Sequence, residues 1–274
     1  TVLWPFLWAN PIGNFFEVFR HMSNNPTELA VLFDGQIFRA NLMPIQYIPK
    51  MLFIMLTEPA WILIVVGEVL LFLTMRKGNN AWREVFPFTF LFVLLISYIL
   101  LTSPAVYDGF RHFLFITPIL FILPAFVFDR LYTYGNKILF AIIAVASILP
   151  GLIGIAVSHP YEYNYYNAFV GGQHGAMRTY ENDYWLICYQ PALQWFAANK
   201  PTDTLYIQRE LQLAEAYQLP IKLAQQGDKP LKSGSFLLTH VRGNLDQRSV
   251  YRKEPVVQSF GTSQAELCAI KQVK

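Results

Sequence analysis

Residues 138–157 read ILFAIIAVASILPGLIGIAV, a run of twenty residues without a charged side chain. A helix needs about 20 mostly apolar residues to cross the hydrocarbon core of a bilayer. Pro150 would break a helix in a soluble protein, but in a membrane bundle neighbouring groups satisfy the carbonyl that it frees. This run therefore predicts a transmembrane helix.

Three further apolar runs lie upstream. We predict four transmembrane spans, near residues 51–75, 85–101, 113–128 and 138–157. Charged residues number 17 among residues 1–157 and 22 among the shorter stretch of residues 158–274. This change in composition predicts a membrane part followed by a water-soluble part.

The predicted chain has three parts: an extracytoplasmic juxtamembrane segment (1–48), a transmembrane region (49–157) and an extracytoplasmic domain (158–274). The fold class is an α-helical membrane bundle of about four transmembrane helices followed by a small α/β domain. The net charge of +3 is small and no basic patch with interleaved aromatic residues is visible, which argues against nucleic acid as a partner. The chain begins at Thr1 rather than Met and reads as a fragment of a longer membrane protein.

Lys and Arg residues in the short loops indicate the orientation. Arg76, Lys77 and Arg83 follow the first span, and Arg130 and Lys137 follow the third. Because cytoplasmic loops are enriched in these residues, both loops are predicted to be cytoplasmic. The loop between the second and third spans, and both ends of the chain, then lie on the outer face of the plasma or inner membrane.

The part before the first span carries two local signals. Residues 10–24 place apolar side chains at helical spacing, namely Ile12, Phe15, Phe16 and Phe19. This pattern suits a helix lying on the membrane surface, and packing against neighbouring helices is an equal alternative. Asp34–Gly35 predicts a turn within a short extended segment.

Residues 158–274 alternate between helical and extended patterns. We predict helices at 187–200 and 210–219 and strands at 204–208, 221–224, 235–241, 256–260 and 265–273. The two cysteines, Cys188 and Cys268, both fall in this part. An extracytoplasmic disulfide and two free buried thiols both stay open, because sequence alone does not supply the geometry of a bridge.

The most distinctive charged stretch is SPAVYDGFRHFLF, residues 103–115, between the second and third spans. It brings Asp108, Arg111 and His112 within five residues. Arg can grip a phosphate with two donors, His can add a hydrogen bond, and Asp108 can orient either of them. The alternative is an interfacial charge cluster whose side chains extend to the lipid headgroups.

Two further groups of residues are candidates. Glu58 precedes Pro59, where its charge would favour the start of the following helix, or where it would line a site. Residues 159–185 contain tyrosines typical of a membrane interface, together with Gly171–Gly172, which interface enrichment does not explain. The spacing of the histidines in this segment matches no standard zinc pattern, so no metal site is predicted.

These motifs together resemble the large bacterial GT-C membrane glycosyltransferases of the protein O-mannosyltransferase type. YDGFRHFLFITP is similar to their RH-containing loop. HPYEYNYYNAFVGG followed by YENDYWLICYQPALQWFAANKP is similar to the segment after their last span. LWANP, LFDGQ and PIQYIPKMLFIMLTEP are similar to the region upstream. Leu186 departs from the pattern, since glycine is common there in the family, and nothing after it looks catalytic.

The resemblance implies a polyprenyl-phosphate-linked sugar donor and an acceptor on the outer face, which could be a glycan, a lipid or a protein. A carboxylate acts as general base on the acceptor hydroxyl, and positive groups or a divalent metal stabilise the departing lipid phosphate. In the family this carboxylate lies in the first external loop, which this stretch of sequence does not include. The chain therefore resembles the C-terminal half of such an enzyme, and no catalytic residue is assigned in it.

The resemblance also implies a set of site residues. Arg111, His112 and Asp108 would hold the donor phosphate. Possible site-lining residues are Glu58, His159, Tyr161, Asn167, Gly171, Gly172, Asp183 and Trp185. The alternative function is non-enzymatic: a membrane-anchored extracytoplasmic domain that binds a partner or an envelope polymer.

Overall fold

The computed structural model describes residues 4–23, 27–78 and 80–274. Four of its helical segments are long and apolar enough to cross a membrane, namely Glu58–Arg76, Trp82–Thr102, Arg111–Tyr134 and Lys137–Ser158. Many large apolar side chains on these segments are exposed, such as Ile62, Phe90 and Leu101. Exposed apolar side chains in this number are typical of a protein that lies in a bilayer.

The elements of the membrane part follow one another with short connections. They are α1 (Pro11–Ser23), β1 (Ala30–Phe33), β2 (Gln36–Arg39), α2 (Tyr47–Met55), α3 (Glu58–Arg76), α4 (Trp82–Thr102), a 3₁₀ segment (Arg111–Ile116), α5 (Thr117–Leu120), α6 (Ile122–Tyr134) and α7 (Lys137–Ser158). The predicted helix near residues 10–24 and the predicted turn at Asp34–Gly35 are both present. Both turn residues have positive φ angles, which suits the tight connection between β1 and β2.

The predicted first span, 51–75, is wrong at its start. Helix α2 ends at Met55, and a separate helix, α3, begins at Glu58 with Pro59 in its first turn. Proline lacks the N–H that a continuous helix needs, but it is well accommodated in a first turn. Helix α2 is instead part of the core, with Met51, Leu52 and Ile54 buried.

The third span is longer and less regular than the predicted 113–128. It begins as the 3₁₀ segment at Arg111, continues through α5 and reaches Tyr134 at the end of α6. Pro118 lies in the first turn of α5. Gly67 of α3 packs closely on α6, since a methyl group at Gly67 would lie 2.9 Å from both the Cβ and the carbonyl oxygen of Leu123. Small residues at such contacts let helices in a membrane approach closely.

The C-terminal part contains a five-stranded mixed sheet. Its elements are α8 (Gly172–Ala176), α9 (Tyr189–Asn199), β3 (Thr204–Ile207), α10 (Leu211–Glu215), β4 (Lys222–Gln225), β5 (Phe236–His240), α11 (Leu245–Arg248), β6 (Val256–Gly261) and β7 (Glu266–Gln272). The strand order is β4-β3-β5-β7-β6. The strand β3 runs parallel to β4 and β5, whereas β7 runs antiparallel to β5 and β6.

All five predicted strands of this part are present, and so are both predicted helices, although α10 is shorter than the predicted 210–219. The small α/β domain of the predicted fold class is therefore confirmed as a small mixed sheet with helices. Cys188 and Cys268 form a disulfide between the N-terminus of α9 and β7. The bridge adds to the apolar core between α9 and the sheet, where Leu193, Phe196 and Ile270 are fully buried.

Residues 159–186 connect the membrane helices to the sheet. Tyr166, Ala176 and Tyr180 belong to the same apolar core as α2, α3 and α6, whereas Tyr161 and Leu186 belong to the core of the sheet. The Asn167 side chain donates to the carbonyls of Phe53 and Leu56 at 2.7 and 2.8 Å. The segment thereby satisfies carbonyls at the end of α2. The domain boundaries 1–48, 49–157 and 158–274 stay predictions.

Candidate functional site

The loop between α4 and the third span folds over α2. Asp108 and Gly109 have positive φ angles of 55° and 77°, a conformation that glycine adopts at no steric cost. A methyl group at Gly109 would lie 2.8 Å from the sulfur of Met55. The Gly109 N–H donates to the Tyr47 hydroxyl at 3.0 Å. The loop held in this way buries Asp108, whose exposed fraction is 3%.

Arg111 is the first residue after this loop and the first residue of the third span. Its Nη2 lies 2.9 Å from Oδ2 of Asp108, and its side chain keeps 27% of its surface exposed. The guanidinium faces the rings of Tyr107, Tyr184 and Trp185, at 5.1, 5.6 and 5.9 Å from their centroids. Its Nε is buried and has no hydrogen-bond partner among the described residues, so the exposed part of the side chain lies elsewhere on the guanidinium. An arginine oriented by one carboxylate and three rings can still bind an anion on its open side.

A second arginine reaches Asp108 from the sheet. Arg242 follows the end of β5, and its Nη2 donates to Oδ1 of Asp108 at 3.1 Å. Its Nη1 donates to the Tyr184 carbonyl at 2.8 Å, and its Nε lies 3.8 Å from Oε2 of Glu181. Only 14% of its side chain is exposed. Asp108 is thus shared between the guanidiniums of Arg111 and Arg242, one on each carboxylate oxygen.

Glu181 is the second buried carboxyl of this cluster, with 3% of its surface exposed. It accepts the Leu32 N–H of β1 at 2.5 Å. Burial raises the pKa of Glu181 to about 7, against the opposing influence of that N–H and of Arg242. Burial also raises the pKa of Asp108, and Arg242 and Arg111 oppose that shift. The two guanidiniums therefore face two buried carboxyl groups, and burial raises the pKa of both.

His112 takes a different place from the one that the sequence predicts. Its side chain is exposed, and its ring lies 4.6 Å from the ring of Tyr107. No hydrogen bond joins it to Asp108 in the part of the chain that the structure describes. The structure therefore brings Asp108 and Arg111 together and leaves His112 at the edge of the cluster.

Three of the predicted site-lining residues lie together in another place. Glu58, Gly171 and Gly172 line a groove of about 580 Å³ beside the C-terminal half of α7. The Glu58 carboxylate accepts the Ala168 N–H, and aliphatic side chains of α7 such as Leu149 form the opposite wall. No Lys or Arg is among the described residues that line the groove, so its chemistry suits an aliphatic chain better than a phosphate.

Most of the remaining predicted site-lining residues have partners outside the cluster around Asp108. His159 is exposed, with Nδ1 2.6 Å from Oε1 of Glu162. Tyr161 is buried in the core of the sheet, and Asn167 is buried against α2. Trp185 is the exception, because its ring stands beside Arg111 and is 51% exposed.

Asp183 organises the segment before α9. It is fully buried and accepts from the Tyr163 hydroxyl and from the N–H groups of Ile187 and Cys188. Burial raises the pKa of Asp183 to about 6, and these donors oppose the shift. Its oxygens are occupied by donors of the protein, so its role as a site-lining residue stays a prediction without support from these contacts.

Sequence reasoning missed the two residues that complete the cluster around Asp108. Glu181 lies in a segment that the sequence singles out, but nothing in the sequence distinguishes it from its neighbour Asp183. One feature of the sequence could have identified Arg242 as a candidate site residue. It follows the strongly apolar run FLLTHV, and ligand sites of α/β sheets lie at the carboxyl ends of parallel strands.

Within 4–23, 27–78 and 80–274, no group of three or more His, Cys, Asp or Glu side chains could hold a metal ion. The residues present thus do not fit the divalent metal that the resemblance allows, and no step is assigned to one.

No protein-family model, no curated protein and no solved structure matches this chain. The contacts of Asp108, Arg111 and Arg242 are therefore the strongest evidence on function.

Proposed function

We propose that this chain is the C-terminal portion of an integral membrane glycosyltransferase. Such an enzyme moves a sugar from a polyprenyl-phosphate donor to an acceptor at the outer face of the plasma or inner membrane. The observation that carries the proposal is Arg111, an oriented and partly exposed guanidinium at the very start of a helix long enough to span a membrane. The resemblance of YDGFRHFLFITP to the RH-containing loop of GT-C enzymes supports the same assignment.

The position of Arg111 suits a lipid-linked phosphate. A polyprenyl phosphate keeps its chain in the hydrocarbon and its phosphate at the interface, and Arg111 marks the level where the third span begins. Guanidinium groups bind phosphate with two parallel hydrogen bonds. The exposed face of Trp185 lies beside Arg111 and offers a flat surface next to the bound phosphate.

In this proposal each residue of the cluster has a stated role. Arg111 binds the phosphate and stabilises the negative charge that grows on it as the bond to the sugar breaks. Asp108 orients Arg111 through their ion pair. His112 donates a hydrogen bond to the phosphate from the exposed edge of the cluster. The resemblance places the general base in an external loop of the longer enzyme.

Two observations support an extracytoplasmic position for the sheet. A disulfide such as Cys188–Cys268 persists in oxidising compartments and is rare in the cytosol. The loops with Arg76, Lys77 and Arg83 and with Lys137 lie at the end of the helices opposite to Arg111, which agrees with cytoplasmic loops that are rich in basic residues.

Sugar transfer by the full-length enzyme tests the proposal, with Arg111→Gln against Arg130→Gln. Arg130 is a matched control, because its side chain is 25% exposed and stacks on the rings of Phe126 and Tyr134 at the other end of the same span. We expect turnover to fall about a hundredfold for Arg111→Gln, as for loss of a group that stabilises transition-state charge, and to change little for Arg130→Gln.

Equal turnover of the two variants would show that Arg111 does not bind the donor phosphate. Loss of the Arg111→Gln protein from the membrane, with normal turnover per remaining molecule, would instead favour the interfacial anchor. Absence of transfer and of donor binding in the unaltered protein would favour the non-enzymatic binding domain.

A further inference from the structure

The sheet domain contributes a residue to the cluster around Asp108. We infer that Arg242 is a positioning residue of the anion site, which fixes Asp108 and thereby the guanidinium of Arg111. This inference rests on the proposed function, and it deepens that function by assigning a role to the C-terminal domain: the anion site is complete only when β5 is docked on the loop before the third span.

The contacts of Arg242 exclude a loosely held surface side chain. Its three partners come from two separate parts of the chain: the Asp108 carboxylate from one and, from the other, the Tyr184 carbonyl and, at 3.8 Å, the Glu181 carboxyl. Of these, Asp108 is 134 residues away in sequence. With its donors directed at these groups and only 14% of its side chain exposed, Arg242 acts on the ligand through Asp108 rather than by contact.

The backbone around Arg242 is held on both sides. Before it, the Val241 N–H donates to the Leu267 carbonyl at 3.0 Å, which continues the pairing of β5 with β7. After it, the Asn244 side chain donates to the Arg178 carbonyl at 3.2 Å. Arg178 in turn makes a two-pronged ion pair with Asp246, at 2.5 and 2.7 Å. The guanidinium of Arg242 therefore reaches Asp108 from a fixed support.

Charge explains why a second arginine matters for the first. If Asp108 faced Arg111 alone, the pair would be neutral and Arg111 would attract an anion weakly. Arg242 brings a second guanidinium to the same carboxyl group, so two positive charges lie beside one acidic group at the site. Glu181 is the other acidic group facing Arg242 from the packed segments, at the longer distance of 3.8 Å.

The experiment measures the affinity of the detergent-solubilised protein for farnesyl phosphate and, as a comparison without the phosphate, for farnesol. The ratio of the two dissociation constants isolates the phosphate contribution. We expect Arg242→Gln to weaken farnesyl phosphate binding about tenfold, which corresponds to loss of a charge-assisted interaction, with farnesol binding unchanged. Arg242→Lys keeps the charge and should recover part of the loss.

The matched control is Arg209→Gln. Arg209 follows the parallel strand β3 as Arg242 follows β5, but its Nε pairs with Glu210 at 2.9 Å rather than with Asp108. Its substitution should leave the ratio of the two dissociation constants unchanged. The double variant Arg111→Gln/Arg242→Gln should bind no more weakly than Arg111→Gln, because Arg242 acts through Arg111.

The outcomes distinguish failure of this inference on Arg242 from failure of the proposed function. If Arg111→Gln abolishes the phosphate contribution and Arg242→Gln and Arg242→Lys both leave it intact, the inference fails and the proposed function stands. If Arg111→Gln binds farnesyl phosphate like the unaltered protein, the proposed function fails. Strictly additive losses in the double variant would also overturn the inference, since they would mean that Arg242 acts independently of Arg111.

Discussion

At the scale of single residues, Asp108 combines two properties that rarely occur together. It is almost completely buried, and each of its oxygens faces a different guanidinium. A buried carboxylate with only one partner would be costly, because desolvation opposes the charged form. The second arginine offsets that cost and makes the geometry of Arg111 depend on a residue of the sheet.

The buried carboxyl of Glu181 gives a prediction on pH. Burial raises its pKa in the folded protein to about 7, above the ordinary value of 4.5, so the folded state binds the proton more tightly. The free energy of unfolding should therefore fall as pH rises from about 4.5 to about 7. Glu181→Gln has no carboxyl group to ionise, so it should lack this fall in stability. At pH 8 its advantage in unfolding free energy over the unaltered protein should reach up to roughly 3 kcal/mol.

The measurement is the unfolding midpoint of both proteins in detergent at pH 5 and pH 8. The advantage of Glu181→Gln over the unaltered protein should be larger at pH 8. Glu28→Gln, an exposed carboxyl that pairs with Arg39, serves as the control with no such change. If the stability of the unaltered protein relative to Glu181→Gln rose with pH, ionised Glu181 would stabilise the fold, contrary to this account.

At this scale the sequence predicts contacts only between residues that are close along the chain. Asp108 and Arg111 are three residues apart, so their pairing was predictable from spacing. Arg242 and Glu181 reach the same cluster through tertiary packing, which no local pattern encodes. His112 shows the converse limit, since closeness in sequence to Asp108 did not bring a contact with it.

At the scale of elements, the sheet was the most predictable part. Its strands are short apolar runs bounded by turn residues, such as SFLLTHV, and they form where that pattern predicts them. The predicted span 51–75 ran across the break between α2 and α3, although Thr57, Glu58 and Pro59 interrupt the apolar run at that point. The break does coincide with Pro59, which begins α3.

The close contact of α3 with α6 gives a prediction for helix packing. Gly67→Ala should lower the stability of the bundle by about 1–3 kcal/mol, because the added methyl group has to displace Leu123. Gly151→Ala in α7 is the matched control. Its methyl group would meet Thr57 at an ordinary 3.8 Å, and alanine favours a helix over glycine by about 1 kcal/mol.

Thermal unfolding in detergent compares the two variants, and we expect them to move in opposite directions. Gly67→Ala should unfold at a lower temperature than the unaltered protein, whereas Gly151→Ala should unfold at the same or a higher temperature. Equal or higher stability of Gly67→Ala would show that α3 and α6 do not approach as closely as described.

At the scale of the whole molecule, the sheet and the long apolar helices contribute residues to one charged cluster around Asp108. The disulfide closes a segment of the sheet whose ends are 80 residues apart. Removing it with Cys188→Ala/Cys268→Ala should destabilise the sheet by about 2–5 kcal/mol, chiefly by giving the unfolded segment more freedom. Hydrogen exchange should then rise in residues 187–274 more than in α3 and α6.

The comparison protein for this test is the intact oxidised chain under the same conditions. A uniform rise of exchange in the sheet and in the helices alike would mean that the two parts unfold as one unit. Unchanged protection of residues 187–274 would show that the bridge adds nothing to the stability of the sheet.

The central claim is that Arg111 and its aromatic neighbours hold a lipid-linked phosphate, and photocrosslinking tests it most directly. A farnesyl phosphate analogue with a diazirine in its first isoprene unit is bound to the detergent-solubilised protein and activated, and the labelled peptides are mapped by mass spectrometry. We predict labelling at Tyr107, Tyr184 and Trp185, which is competed by farnesyl phosphate but not by farnesol and is lost in Arg111→Gln. Labelling confined to the groove beside α7, or labelling that Arg111→Gln leaves unchanged, would contradict the account.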